Sequence, residues 1–132
     1  LFRYLPDAEA DGEARRIGCP TMFASWDRQR EVQFMRTILE SGGDSTRPRE
    51  VELRIARFDT LQASADSVRY NVDYQMTLKF LGHEESYGGS AVWDFVGGNR
   101  SFWTLRRWQD NQALSENVKT LGVLRARRGQ CE

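Results

Sequence analysis

The sequence predicts an α+β domain, with an N-terminal helix or helices packed on a strongly bent antiparallel sheet. Three observations lead there. Ser67 to Phe80 alternates strictly: Val68, Tyr70, Val72, Tyr74, Met76, Leu78 and Phe80 are apolar or aromatic, and every residue between them is polar or charged. Period two marks a strand with one buried and one wet face, here spanning roughly 45 Å. Ser25 to Ser41 instead places its apolar residues three and four apart, the period of an amphipathic helix. The alternation also slips by one residue near Ala56-Arg57 and again before Trp108, and such slips signal bulges that bend a sheet.

Taken in order, residues 1 to 20 read as an irregular arm laid across the body. Leu1, Phe2, Tyr4 and Leu5 are apolar enough to dock, Glu13 to Ile17 can form a helical turn, and Gly18 and Pro20 break it. Ser25 or Asp27 can cap the first helix. Val32, Met35 and Leu39 form one row, with Phe34 and Ile38 beside it, together an amphipathic stripe facing a core, and Gly42 and Gly43 supply the stop. Glu50 to Ala63 is the first strand. Ser64-Ala65-Asp66 turns it into the long strand as an antiparallel hairpin. Leu81 to Gly89 reads as a polar loop, Ser90 to Val96 as the third strand, Gly97 to Arg100 as a hairpin connection and Ser101 to Asp110 as the fourth strand. Val118, Leu121 and Leu124 give a weak apolar edge, and residues 125–132 a mobile basic tail.

A chain of 132 residues supports one domain with one core. Zero net charge gives no global attraction to nucleic acid, and none is expected as a partner. The seventeen arginines against two lysines fit a GC-rich genome as well as arginine chemistry. No apolar run approaches the ~20 residues that span a bilayer. The first residue is Leu1 and not Met, which predicts processing or excision and leaves the compartment open between cytoplasm and export. Cys19 and Cys131 are either two unrelated thiols or a disulfide tying arm to tail, which requires an oxidising compartment.

The order of elements, with Val68-Arg-Tyr-Asn-Val-Asp-Tyr, Tyr87-Gly-Gly-Ser-Ala-Val-Trp-Asp-Phe and Ser101-Phe-Trp-Thr-Leu-Arg-Arg-Trp-Gln-Asp, resembles the nuclear transport factor 2-like superfamily, of cystatin-like fold. A final strand with Trp103, Leu105, Trp108 and Asp110 suits that family, and Thr120-Leu-Gly-Val-Leu-Arg is similar to the ending of many small bacterial members. The resemblance covers roughly Phe23 to Leu124. It implies a ligand site between helices and sheet, lined here by Tyr70, Tyr74, Met76, Trp93 and Trp103, with Phe34 or Met35 from the helix. The same side chains would equally fill a solid core. Because the superfamily holds enzymes, transport factors and secretion-apparatus domains, fold alone does not choose among them.

The resemblance implies a cone-like, cystatin-like roll, and enzymes of that fold use an Asp, Glu or His projecting into the cone to move a proton. The long strand offers none on its apolar face. Asp59 and Asp94 lie near the phase slips and are the two carboxylates able to turn inward toward Tyr70 or Tyr74; otherwise they face solvent or pair with Arg57 and Arg106. His83 with Glu84 and Glu85 lacks a third convergent metal ligand, so neither metal nor cofactor is expected. Gly88-Gly89 and Gly97-Gly98 read as hairpin geometry and not as phosphate loops. Arg106, Arg107, Arg125, Arg127 and Arg128 form a basic cluster suited to an acidic partner. The resemblance also implies dimers through the outer sheet face, and Arg69, Asn71, Asp73 and Gln75 on the wet face of the long strand suit such a two-fold homodimer contact, or equally a plain solvated face. The expectation is therefore a non-catalytic domain that binds a small apolar ligand or a protein. A small lyase, isomerase or hydrolase with an Asp-Tyr site, and a subunit of an envelope or secretion complex, are the alternatives.

Overall fold

The computed structural model describes residues 2–40, 47–97, 103–129 and 131. Among these, β1 (Arg3–Leu5), α1 (Ala8–Arg16), a 3₁₀ turn at Phe23–Ser25, α2 (Arg28–Leu39), β2 (Glu50–Ala63), β3 (Ser67–Lys79), β4 (Glu84–Gly97), β5 (Trp103–Ala113) and α3 (Leu121–Arg128) follow one another. The strands form one open sheet in the order β1-β5-β4-β3-β2. It is a mixed sheet, antiparallel from β2 to β5 with β1 parallel to β5. The α+β class is as the sequence predicts.

The alternation of Ser67 to Lys79 does what its period demands. Val72, Tyr74, Met76 and Leu78 are buried on one face, while Arg69, Asn71, Asp73 and Gln75 occupy the other. In the β2–β3 hairpin, Ala56 is an extra residue between the paired Ile55 and Arg57, the bulge expected there, and Leu61 is a second. Arg106 and Asn111 are extra residues of β5 opposite β4.

Four expectations need correction. The irregular arm is instead β1 and α1. Asp7 caps α1, its Oδ1 accepting from Ala10 N at 3.4 Å and from Thr120 Oγ1 at 2.8 Å. Residues 125–128, expected as mobile tail, are the last turns of α3, a helix with six buried residues in a row. The loop expected over Leu81 to Gly89 is short, because β4 already begins at Glu84. Gly88 and Gly89 are therefore mid-strand residues, not a hairpin. A Cβ on Gly89 would stand 2.9 Å from Gln112 O, so close strand approach explains the glycine there.

The fourth correction concerns α2. Asp27 caps it through Oδ1, which accepts from Arg30 N at 3.0 Å. Its buried residues are Phe34 and Ile38, while Val32 is 41% and Leu39 60% exposed. The expected stripe is therefore narrower than its five residues: Phe34 takes the core, against Trp26 at 6.1 Å, Ile38 lies beside it, Met35 packs at the edge, and Val32 and Leu39 are left outside. The glycine stop at Gly42-Gly43, and Gly98 to Phe102 of the β4–β5 connection, lie outside the described residues.

α1 packs chiefly against α3, with Ala10 and Ala14 buried at the contact. Gly122 of α3 admits this approach, since a Cβ there would collide with the Tyr4 hydroxyl and Ala10. A disulfide joins Cys19 to Cys131 with their Cα atoms 5.6 Å apart. Among the described residues, no helix is long and apolar enough to cross a membrane.

Candidate functional site

The expected ligand-lining residues separate into two environments. Tyr74 and Met76 are buried in the core. Tyr70 and Trp93 are half-buried, and Trp103 is 49% exposed. Between helices and sheet, the space is filled by Tyr4, Phe23, Phe34, Val72, Tyr74, Met76, Trp108, Leu121 and Leu124. Phe34 is part of that filling, and Met35 packs at its edge.

At its centre lies Asp110 of β5, 2% exposed. Its Oδ1 accepts from Tyr74 OH and from Trp108 Nε1, each at 2.9 Å, and its Oδ2 accepts from Tyr4 OH at 2.5 Å. The Tyr74 oxygen in turn accepts from Leu121 N at 3.0 Å, fixing the first residue of α3. Arg125 of α3 stands above, with Nη1 4.0 Å from Asp110 Oδ2. Its guanidinium lies 4.1 Å from the Tyr4 ring centre and 4.5 Å from that of Trp108. Glu31 of α2 closes the chain with a two-point grip on Arg125, and its Oε2 also accepts from Trp26 Nε1 at 2.7 Å.

Burial pushes the Asp110 carboxyl above its ordinary value, against the pull of the Arg125 charge and three donors. Burial and the adjacent Asp110 raise the Tyr4 and Tyr74 phenols well above theirs. Desolvation opposes the charge on Arg125, but Glu31 outweighs it and the guanidinium is held up. A general base must reach a substrate proton. Both oxygens of Asp110 are already occupied by protein donors, so the network braces β1, β3, β5, α2 and α3.

Asp59 and Asp94 do not approach this centre. Asp59 is exposed, 3.5 Å from Arg57. Asp94 sits on the opposite face of the sheet, paired with Arg69 and Arg107. His83 Nε2 lies 3.1 Å from Glu85 Oε2, and its ring stacks on Phe80 at 4.6 Å. No group of three or more metal-binding side chains occurs among the described residues. The basic cluster is dispersed: Arg106 and Arg107 lie on the sheet, Arg125 in the core, Arg127 against Glu13, and Arg128 over Phe80.

Sequence reasoning missed Asp110, Arg125, Glu31 and Tyr4 as a unit. One signal was present. Arg125 follows Leu121 by four and Leu124 by one, which puts a cation on the apolar face of its helix.

The inner face of the sheet extends beyond its buried part. Ile55 is 40%, Phe58 49% and Trp103 49% exposed, and Leu53 is exposed beside them. Phe58 packs on Tyr70 with ring centres 4.2 Å apart, Tyr70 meets Phe95 at 5.9 Å, and Phe58 meets Trp93 at 6.4 Å. These rings rest on one another and form a surface. On the wet face, Arg69 is bound to Asp94, and Asp73 accepts from Ser90 Oγ at 2.6 Å and pairs with Arg57 at 3.3 Å. Asn71 is half-buried there and Gln75 exposed. Comparison of the chain with protein-family models, curated proteins and solved structures gave no match.

Proposed function

We propose that this chain is a non-catalytic interaction domain of the nuclear transport factor 2-like type, and that it associates with a second copy of itself. The observation that carries the reading is the uncovered aromatic stretch of the inner sheet face, centred on Phe58 and bordered by Ile55, Tyr70 and Trp93. A contiguous apolar surface of this kind marks a docking site more often than chance exposure. The saturation of Asp110 by protein donors supports a non-catalytic role.

Two features favour a second copy as the partner. Zero net charge removes long-range repulsion between identical chains. Among the described residues, the regular part of β2 is an open edge bonded to β3 alone, and it is self-complementary about Leu53. Antiparallel pairing there sets Glu52 opposite Arg54 of the second copy and Val51 opposite its Ile55. Arg54 has no ion-pair partner among the described residues, so it is free for that contact. The expected contact on Arg69 and Asp73 is the weaker choice, because both charges are already paired within the chain.

Sedimentation velocity across a concentration series tests this. A reversible dimer is expected, weakened about tenfold or more by Phe58→Glu and unaffected by Asp73→Arg. A monomer at every concentration overturns the proposal, as does a dimer sensitive to Asp73→Arg alone.

A further inference from the structure

We infer that the sheet carries, on the face away from the helices, a binding site for a small organic dianion. Strand register puts four charged side chains in one row there. Arg69 pairs in register with Asp94, Asp94 with Arg107, and Arg107 with Arg3, across β3, β4, β5 and β1. Asp94 is shared: Oδ1 accepts from Arg69 Nε at 2.6 Å, and Oδ2 lies 2.7 Å from Arg107 Nη2.

A fifth charge is added by the bulge in β5. Arg106 is the extra residue opposite the Asp94–Phe95 step, and a bulge re-aims the side chain it carries. In a regular strand Arg106 and Arg107 would point to opposite faces. Here both line one groove of about 530 Å³, together with Arg3, Arg69 and Asp94. Val96, on the same face as Asp94, adds one apolar side chain to its lining. That volume lies within the range of small-molecule sites, roughly 300–1,000 Å³.

The charges do not balance. Four guanidiniums face one carboxylate, on a chain whose total charge is zero. Arg3 and Arg107 stand directly opposite each other on adjacent strands, where like charges repel. Among the described residues, Arg3 and Arg106 have no ion-pair partner, and Nε of Arg107 is buried without a hydrogen-bond acceptor. A bound dianion would relieve all of these at once. The planar fork of arginine matches the oxygens of both phosphomonoesters and carboxylates. Val96 beside the arginines suits a compact organic body on the ligand. The groove is small and the rest of the chain compensates its charge, so a small molecule fits better than an extended polyanion.

The test is calorimetric titration of the intact protein, at low ionic strength, with phenyl phosphate, phthalate and benzoate. Either dianion is expected to bind, and which of them binds tighter identifies the source of the charge. Benzoate, with one charge, should bind about tenfold more weakly. Arg3→Ala and Arg106→Ala, both at exposed positions, should each lower dianion affinity about tenfold while leaving the thermal midpoint in place. Arg28→Ala, on the exposed side of α2, should leave it unchanged. The inference is overturned if neither dianion binds better than benzoate. It also fails if Arg28→Ala weakens binding as much as Arg106→Ala, or if Arg3→Ala and Arg106→Ala both bind normally.

Discussion

Arg125 holds Glu31 through two parallel hydrogen bonds, Nε to Oε2 at 2.9 Å and Nη2 to Oε1 at 2.7 Å, with the arginine side chain wholly shielded from solvent. The pair joins α3 to α2 and delivers a cation to the neighbourhood of Asp110. Removing one member of a buried pair leaves the other charge stranded. Arg125→Met is therefore expected to cost about 3–5 kcal/mol. Adding Asp110→Asn to Arg125→Met should cost less than its effect in the parent, since the two groups share one network. Urea unfolding with an unchanged slope measures both. A loss below about 1 kcal/mol for Arg125→Met would show that the network is not a brace.

Tyr74 and Tyr70 lie two turns of alternation apart on one face of β3, yet removal of their hydroxyls should differ. The Tyr74 hydroxyl donates to Asp110 and accepts from Leu121 N, so Tyr74→Phe strands the buried Leu121 N and removes one of the two donors on Asp110 Oδ1. It should cost about 1–3 kcal/mol. Tyr70 is half-buried and its ring packs on Phe58, so Tyr70→Phe should fall within about 0.5 kcal/mol of the parent. Equal effects would contradict the hydrogen-bond assignment.

The Cys19–Cys131 disulfide closes a loop of 112 residues and anchors the end of α3 beside the turn after α1. Thiol titration of protein purified without reductant should find no free sulfhydryl. Reduction, or Cys19→Ser with Cys131→Ser, should lower stability by about 2–5 kcal/mol, the usual range for a long loop. Two titratable thiols and no effect of reductant would refute the bridge.

Glu13 on α1 contacts Arg16 on its own helix and Arg127 on α3. The Arg16 hydrogen bond, helped by Arg127, lowers its carboxyl from 4.5 to about 2. The folded value lies below the unfolded one, so the stabilisation is complete above pH 4.5 and is lost as pH falls from there toward 2. Glu13→Gln should flatten that part of the acid-unfolding profile. The pair is near the surface and screened, so the gain at neutral pH should be no more than about 1 kcal/mol, and smaller in high salt. An unaltered acid profile in Glu13→Gln would refute the linkage.

What could be read in advance depended on how local its cause was. The limits of β2, Glu50 and Ala63, and the bulge at Ala56 were legible because period-two patterning and its slip are properties of neighbouring residues. The Asp27 cap of α2 was legible for the same reason. β1 was not: a three-residue strand has no pattern of its own and exists because Tyr4 can pair beside Trp108, over a hundred residues away. Helix α1 buries only Ala10 and Ala14, too little apolar surface to mark a face in the sequence.

The candidate sites divide the same way. Tyr70, Trp93 and Trp103 were legible as aromatic residues of one sheet face, but whether helices would cover them depended on where α2 came to rest. Asp94 was singled out as a carboxylate near a phase slip, yet only cross-strand register surrounds it with Arg3, Arg69 and Arg107.

By itself, then, the sequence determined the class of fold, the limits of β2, the buried face of β3 and the presence of β4 and β5 but not where β4 begins, since these follow from alternation along the chain. The tertiary structure alone decided that Arg125 goes inside, that Asp110 is consumed by three donors, and that four arginines line one groove with a single carboxylate that pairs with two of them. Each of those depends on residues brought together from distant strands and helices, where burial and mutual charge, and not spacing along the chain, set the energy.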